Sequence, residues 1–183
     1  MKITTARIAR AGLFAALALV LGATQWGFIP IPTPAGAATV MHVPVILAGI
    51  LEGPLVGGFV GLLFGLFTIK FGPAWVVIPP RLLIGPGAWL VFVFVKRLLE
   101  RRRGVERSSM VIAAAIAGFI GSAINTGGIC FLAAATKLWT PAFAWLTAVT
   151  SGIPEGILAA IVAGLLVVPL ESLGGQQIKP RVE

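Results

Sequence analysis

The sequence predicts an all-α membrane protein of six transmembrane helices, and three observations carry that prediction. Of the 183 residues, 58% are hydrophobic and 11% charged, whereas soluble domains run near 45–50% apolar and about 25% charged. Charge this sparse would leave a soluble surface largely uncovered. The mean hydropathy is +1.02, and apolar runs recur six times between Gly- and Pro-containing breakers. Basic residues gather in three places that an even number of spans puts on one side of a membrane. The expectation is a single membrane domain over residues 1–183 with no separate soluble domain.

The elements follow from the breakers. The first span is expected at 8–24, behind Lys2, Arg7 and Arg10. The second, 38–51, stops at the Glu52-Gly53-Pro54 turn, and the third, 55–69, ends at Lys70-Phe71-Gly72-Pro73. Both fall short of the roughly 20 residues that a bilayer normally takes, so their ends or a thinned bilayer must make up the difference. A fourth span at 76–95 is interrupted by Pro79, Pro80 and Pro86, because proline removes a backbone donor and crowds the preceding turn. The connection 96–108, with Lys96, Arg97, Arg101, Arg102, Arg103 and Arg107, reads as a basic cytoplasmic loop. The fifth and sixth spans are expected at 109–136 and 141–170, with Lys179 and Arg181 beyond.

The three basic clusters place both termini in the cytoplasm of a multi-pass plasma-membrane protein. Outer connections carry Lys70 and Lys137, and Trp26, Trp75, Trp139 and Trp145 collect near that face as an interfacial belt would. The first outer connection, Gln25 to His42, holds Pro30, Pro32 and Pro34 and reads as an extended polyproline-like cover. A rival reading of the start, a basic segment followed by Ala11–Ala23 as a signal peptide, would leave five spans with basic clusters on opposite sides.

Several functions are excluded by what is absent. There is no glycine-rich phosphate loop with its Lys and Ser/Thr, so the chain does not power transport with ATP. His42 and Cys130, alone of their types, cannot build a zinc ligand set or an internal disulfide, and there is no Asp to hold Mg²⁺. No metal and no cofactor is expected. The net charge of +8 is distributed as topology and anionic headgroups require, which favours membrane lipid over nucleic acid as its partner.

Polar groups inside apolar spans are costly and become functional candidates for that reason. Arg81 stands beside the prolines of span four, about 9 Å below the outer edge at 1.5 Å per residue, where a guanidinium could fork onto a carboxylate or phosphate, or pair with a glutamate of the chain. Thr147, Ser151 and Glu155 recur every four residues and share one face of span six. Glu155 could meet a ligand amine or hydroxyl, or pair with Arg81. Span five adds Ser122, Asn125 and Thr126, either facing a ligand or bridging helices. Trp26, Phe28 and Trp75 could wall an organic ligand or anchor the interface, and His42 could contact a ligand or stay hydrogen-bonded at the interface. Ala11, Ala15 and Ala18, with Gly22, form a narrow face on span one that another helix could approach closely. The ladder Gly53, Gly57, Gly61 and Gly65 reads as internal packing of span three.

These strings together resemble a known family. Ile31-Pro32-Thr33-Pro34, Ala38-Thr39-Val40-Met41-His42-Val43-Pro44, Gly53-Pro54-Leu55-Val56-Gly57, Pro80-Arg81-Leu82-Leu83-Ile84-Gly85, Asn125-Thr126 and Pro154-Glu155-Gly156, in this order across residues 6–170, are similar to the substrate-binding S components of energy-coupling factor (ECF) vitamin transporters. The resemblance implies a six-helix subunit that captures a vitamin or its precursor from outside. It implies as partners a transmembrane coupling (T) component and two cytoplasmic ATPases, with the small face of helix one, matched here by Ala11 and Ala15, docking on the T component. The cavity contacts it implies are His42, Arg81, Asn125 and Glu155; with Trp26, Trp75, Thr126 and Ser151, read from their own positions, these make up the expected substrate site, and no residue is expected to be catalytic. Pantothenate is the first substrate expected, since its carboxylate suits Arg81 and its hydroxyl and amide groups suit Asn125 and Glu155. Riboflavin, pyridoxine, folate, thiamine precursors and cobalamin relatives stay open. Two other classes compete: a small membrane enzyme with Glu155 as acid/base and Arg81 on a lipid phosphate, and an assembly factor that uses its helix faces alone.

Overall fold

The computed structural model describes residues 5–30, 37–103 and 106–174. Helix α1 (Thr5–Ala23) is followed by a 3-10 turn at Gln25–Gly27 and a hairpin of β1 (Phe28–Pro30) and β2 (Ala37–Thr39). Then come α2 (Val43–Glu52), α3 (Pro54–Phe67), a 3-10 turn at Thr68–Phe71, α4 (Ala74–Arg103), α5 (Glu106–Ala135), α6 (Pro141–Thr150) and α7 (Gly152–Gly174). Five helical stretches are long and apolar enough to cross a membrane: Thr5–Ala23, Pro54–Phe71, Ala74–Arg101, Arg107–Ala135 and Pro141–Ser172. Large apolar side chains such as Leu13, Leu90, Phe94, Phe131 and Leu165 point out of the bundle, as lipid-facing residues do.

The sixth apolar helix, α2, has ten residues and a length of about 15 Å, half of a hydrocarbon core of roughly 30 Å. It survives at that length because it hardly meets lipid. It packs against α1, α3, α4, α5 and α7, and Val45, Ile46, Ala48 and Ile50 are all but fully buried. Residues 38–42, expected inside this span, instead form β2 and the turn into the helix.

Close glycine contacts hold α2, α3 and α4 together. A Cβ on Gly57 would sit 2.6 Å from the Gly49 Cα and 2.8 Å from the Gly85 Cα, so the three backbones touch there. Gly61 faces the carbonyl of Arg81 in the same way. The glycine ladder is thus internal packing, and it sets the position of Arg81. Gly53, between α2 and α3, has φ +92°, a conformation that suits glycine and disfavours residues with a Cβ.

Three local expectations change. The prolines do not interrupt span four: α4 runs through Pro79, Pro80 and Pro86, and Gly128 of α5 leaves room for the Pro80 ring. The basic segment 96–108 is largely helical, α4 extending to Arg103 and α5 starting at Glu106. Span six divides at Ser151 into α6 and α7. Hydrogen bonds from the Ser151 N–H to the Thr147 carbonyl (3.0 Å) and from the Glu155 N–H to the Ser151 carbonyl (3.1 Å) carry across that division, so the polar stripe stays on one face.

The first connection is not a polyproline-like cover over its described part. Phe28 pairs with Thr39, Ile29 with Ala38 and Pro30 with Ala37 in an antiparallel ladder; Pro32 and Pro34 lie outside the described residues. At the opposite end of α2, Arg7 and Arg10 of α1 both pair with the buried Glu52 carboxylate, and Arg7 also donates to the Glu52 carbonyl. The hairpin and this ion cluster therefore mark the two ends of the α1–α2 pair.

Candidate functional site

One cavity brings most of the predicted polar residues together. It has a volume of about 180 Å³, opens to the outside of the protein, and is lined by Phe28 and Thr39 of the hairpin, Phe64 of α3, Arg81 of α4, Asn125, Thr126 and Cys130 of α5, Trp139, and Thr147, Ser151 and Glu155 of α6 and α7, among others. Five helices and the hairpin each contribute to the lining, so the site exists in the folded bundle and in no single segment.

Arg81 is the main electrostatic feature. The residue is 7% exposed, and its guanidinium lies 4.7 Å from the Phe64 ring centroid, a cation–π contact. Its Nε and Nη1 find no hydrogen-bond partner among the described residues. The expected alternative, an Arg81–Glu155 pair, is absent among the described residues, whose ion pairs include those of Arg7 and Arg10 with Glu52 and of Lys96 with Glu100.

Glu155 is instead held by neutral donors. Its Oε1 accepts the Thr39 N–H at 2.7 Å and the Thr39 hydroxyl at 2.9 Å, and its Oε2 accepts the Thr126 hydroxyl. Glu155 thereby ties the hairpin to α5 and α7. Asn125 Oδ1 and Thr147 Oγ1 are buried without a partner among the described residues, while Ser151 lines the cavity at 2% exposure.

Other expectations fall elsewhere. Trp26 and Trp75 are 85% and 63% exposed and do not line the cavity, a position that fits the interfacial belt. Trp139, grouped with that belt by sequence, is the tryptophan that lines the cavity. A turn with Lys137 at φ 58° after α5 carries it inward, and its ring stands edge-on to Phe143 at 5.0 Å between centroids. His42 is completely buried at the start of α2, outside the cavity lining, and neither ring nitrogen has a hydrogen-bond partner among the described residues, so the hydrogen-bonded interfacial histidine expected as one alternative is not seen. Thr39, Phe64 and Trp139 were missed as site residues. Thr39 sits in the proline-rich connection with no periodicity to mark it, and Phe64 is one apolar residue among many in α3.

Ala11, Ala15 and Ala18 are 9%, 6% and 0% exposed, and α1 packs on α2 and α3. These alanines are therefore spent on contacts within the chain and do not offer the exposed docking face expected of them. Gly12 and Ala16 face outward, with nothing within 4 Å of a Cβ placed on Gly12.

The family model described as "ECF transporter, substrate-specific component" matches residues 6–170. The chain belongs to this family. Among solved structures, one titled "Structure and mechanism of the S component of a bacterial ECF transporter" is 23% identical, covers 91% of this chain and 94% of its own, and superposes with a TM-score of 0.54, a likeness of fold. No curated protein matches the chain. As an S component the protein is an integral membrane subunit for substrate-specific uptake and not an enzyme. It works with a T component and two ATPase subunits. That arrangement accounts for the missing phosphate loop and sets aside the lipid-phosphate enzyme and the assembly factor.

Proposed function

We propose that this S component binds a small vitamin-type anion in the cavity behind the β1–β2 hairpin, with pantothenate as the first candidate. Both termini and the 96–108 segment face the cytoplasm in this reading. Arg81 is the observation that carries it. A guanidinium withdrawn from water costs several kcal/mol unless it is paired, and among the described residues the protein supplies it an aromatic face and no carboxylate. A solute carboxylate can take two of its N–H groups at once.

The surface offered to the T component, on this reading, is the outward face of α1 that carries Gly12 and Ala16, where the absence of bulk lets a helix approach. The test is uptake of labelled pantothenate by cells that produce the chain with a T component and both ATPases. Accumulation should require the ATPases. Accumulation by the chain alone would refute the reading, and binding of a different vitamin in place of pantothenate would replace the candidate.

A further inference from the structure

The polar atoms around the cavity differ in what they lack, and that difference describes the solute beyond its charge. Arg81 presents donors, at Nε and Nη1, without a partner among the described residues, and these call for an acceptor on the solute, an anion best of all. Asn125 Oδ1 presents an acceptor, without a partner among the described residues, on a residue 5% exposed. Thr147 Oγ1, on a residue 4% exposed, is likewise unpartnered and can give or take one hydrogen bond. All three line the same cavity from three different helices. Glu155, the one carboxyl group on its wall, already accepts from the Thr39 N–H, the Thr39 hydroxyl and the Thr126 hydroxyl. Three of about four acceptor positions on a carboxylate are then occupied by the protein.

We infer that the site selects its solute by two separated features, an anionic group held by Arg81 and a hydroxyl or amide N–H read by Asn125 and Thr147, and that Glu155 positions the hairpin instead of receiving a solute cation. This rests on the S-component reading above and sharpens it to a substrate class: anions that also carry a neutral hydrogen-bond donor. The division of labour has a physical basis. A buried acceptor left without a donor costs about 1–3 kcal/mol, so an analogue that fills the space without supplying the donor is rejected more strongly than apolar contacts alone would achieve. An organic cation meets the opposite problem, since Arg81 repels it and the carboxyl group that would attract it is already engaged.

The test uses the purified full-length chain and tryptophan fluorescence, because Trp139 lines the cavity. The probes are pantothenate, panthenol (the same skeleton with an alcohol in place of the carboxylate) and thiamine as a cation. Wild-type protein should bind pantothenate at least about 30-fold more tightly than panthenol, the loss expected for a charge-assisted contact, and thiamine more weakly than both. Thr147→Val, which keeps the side-chain shape, should weaken pantothenate by about tenfold, Asn125→Ala by a similar factor, and Thr147→Ser should retain most of the affinity. Circular dichroism on each variant separates lost folding from lost recognition. Thiamine binding as tightly as pantothenate, or pantothenate affinity unmoved by both Thr147→Val and Asn125→Ala, would overturn the inference while leaving the S-component reading in place. Should none of the probes bind, mass spectrometry of the co-purified small molecule decides. An anion with a hydroxyl or N–H supports the inference, a neutral or cationic molecule overturns it, and a chain that neither binds nor retains any molecule removes the proposed anion site and this inference with it.

Discussion

Replacing Glu155 by leucine should loosen the hairpin, and the structure sets the size of the effect. The substitution removes the acceptor of the Thr39 N–H (2.7 Å) and of the Thr39 hydroxyl (2.9 Å), together with the partner of the Thr126 hydroxyl. Both hydroxyls can rotate toward another acceptor, whereas the fixed N–H cannot, and an unsatisfied N–H costs about 1–3 kcal/mol. Half-burial of Thr39 lets water recover part of that, leaving about 2 kcal/mol. Local opening should then rise roughly 30-fold, at 1.4 kcal/mol per factor of ten. Hydrogen–deuterium exchange at the Thr39 amide and along β2 reads this directly. Glu155→Gln is the informative companion, because its amide oxygen can accept from Thr39 while its NH₂ donates to the Thr126 oxygen, so exchange should stay within a few-fold of wild type. Unchanged exchange in the leucine variant, or equal acceleration in both variants, would show that acceptor geometry at Glu155 does not hold the hairpin.

Further outcomes follow from the packing. Gly57→Ala should destabilise the protein by about 1–3 kcal/mol, as overpacking does, since its Cβ would lie 2.6 Å from the Gly49 Cα; thermal unfolding in detergent measures it, and an unchanged midpoint would refute the close approach. Glu52→Ala leaves Arg7 and Arg10 without the carboxylate they share and should lower the same midpoint by a few degrees, an effect that high salt should shrink because both arginines are partly exposed. Gly12→Trp or Ala16→Trp should abolish co-purification with the T component and leave solute binding intact. Ala15→Trp, on the buried side of the same helix, should instead impair folding.

Much of the bundle was legible because lipid imposes a simple rule on sequence: apolar runs bounded by Gly, Pro and charge. The rule reads length against a bilayer, and it failed where a helix is shielded from lipid by its neighbours, as α2 is by five other helices. It also assumes that proline ends a helix, whereas Pro79, Pro80 and Pro86 stay inside α4, with room for Pro80 supplied from another helix by Gly128. The polar half of the site was readable because Arg81, Asn125, Thr126, Ser151 and Glu155 each interrupt an apolar run. Their partners were not, since the Thr39–Glu155 bond joins residues far apart in sequence through strands of three residues.

The same limit explains the aromatic residues and the helix face. Nothing local separates Trp139, turned into the cavity, from Trp26 and Trp75, turned outward. In α1, small residues occur on two adjoining faces, Ala11-Ala15-Ala18 and Gly12-Ala16, about 100° apart in a helix of 3.6 residues per turn. Sequence spacing fits both, and tertiary burial decides between them.

On this reading Arg81 is the counter-charge for a solute anion. Native mass spectrometry of the wild-type chain and of Arg81→Met, purified identically in mild detergent, tests it most directly. One small anionic molecule bound per wild-type chain and lost from Arg81→Met is the predicted result; a neutral or cationic molecule in the wild type, or equal retention by the variant, would contradict it.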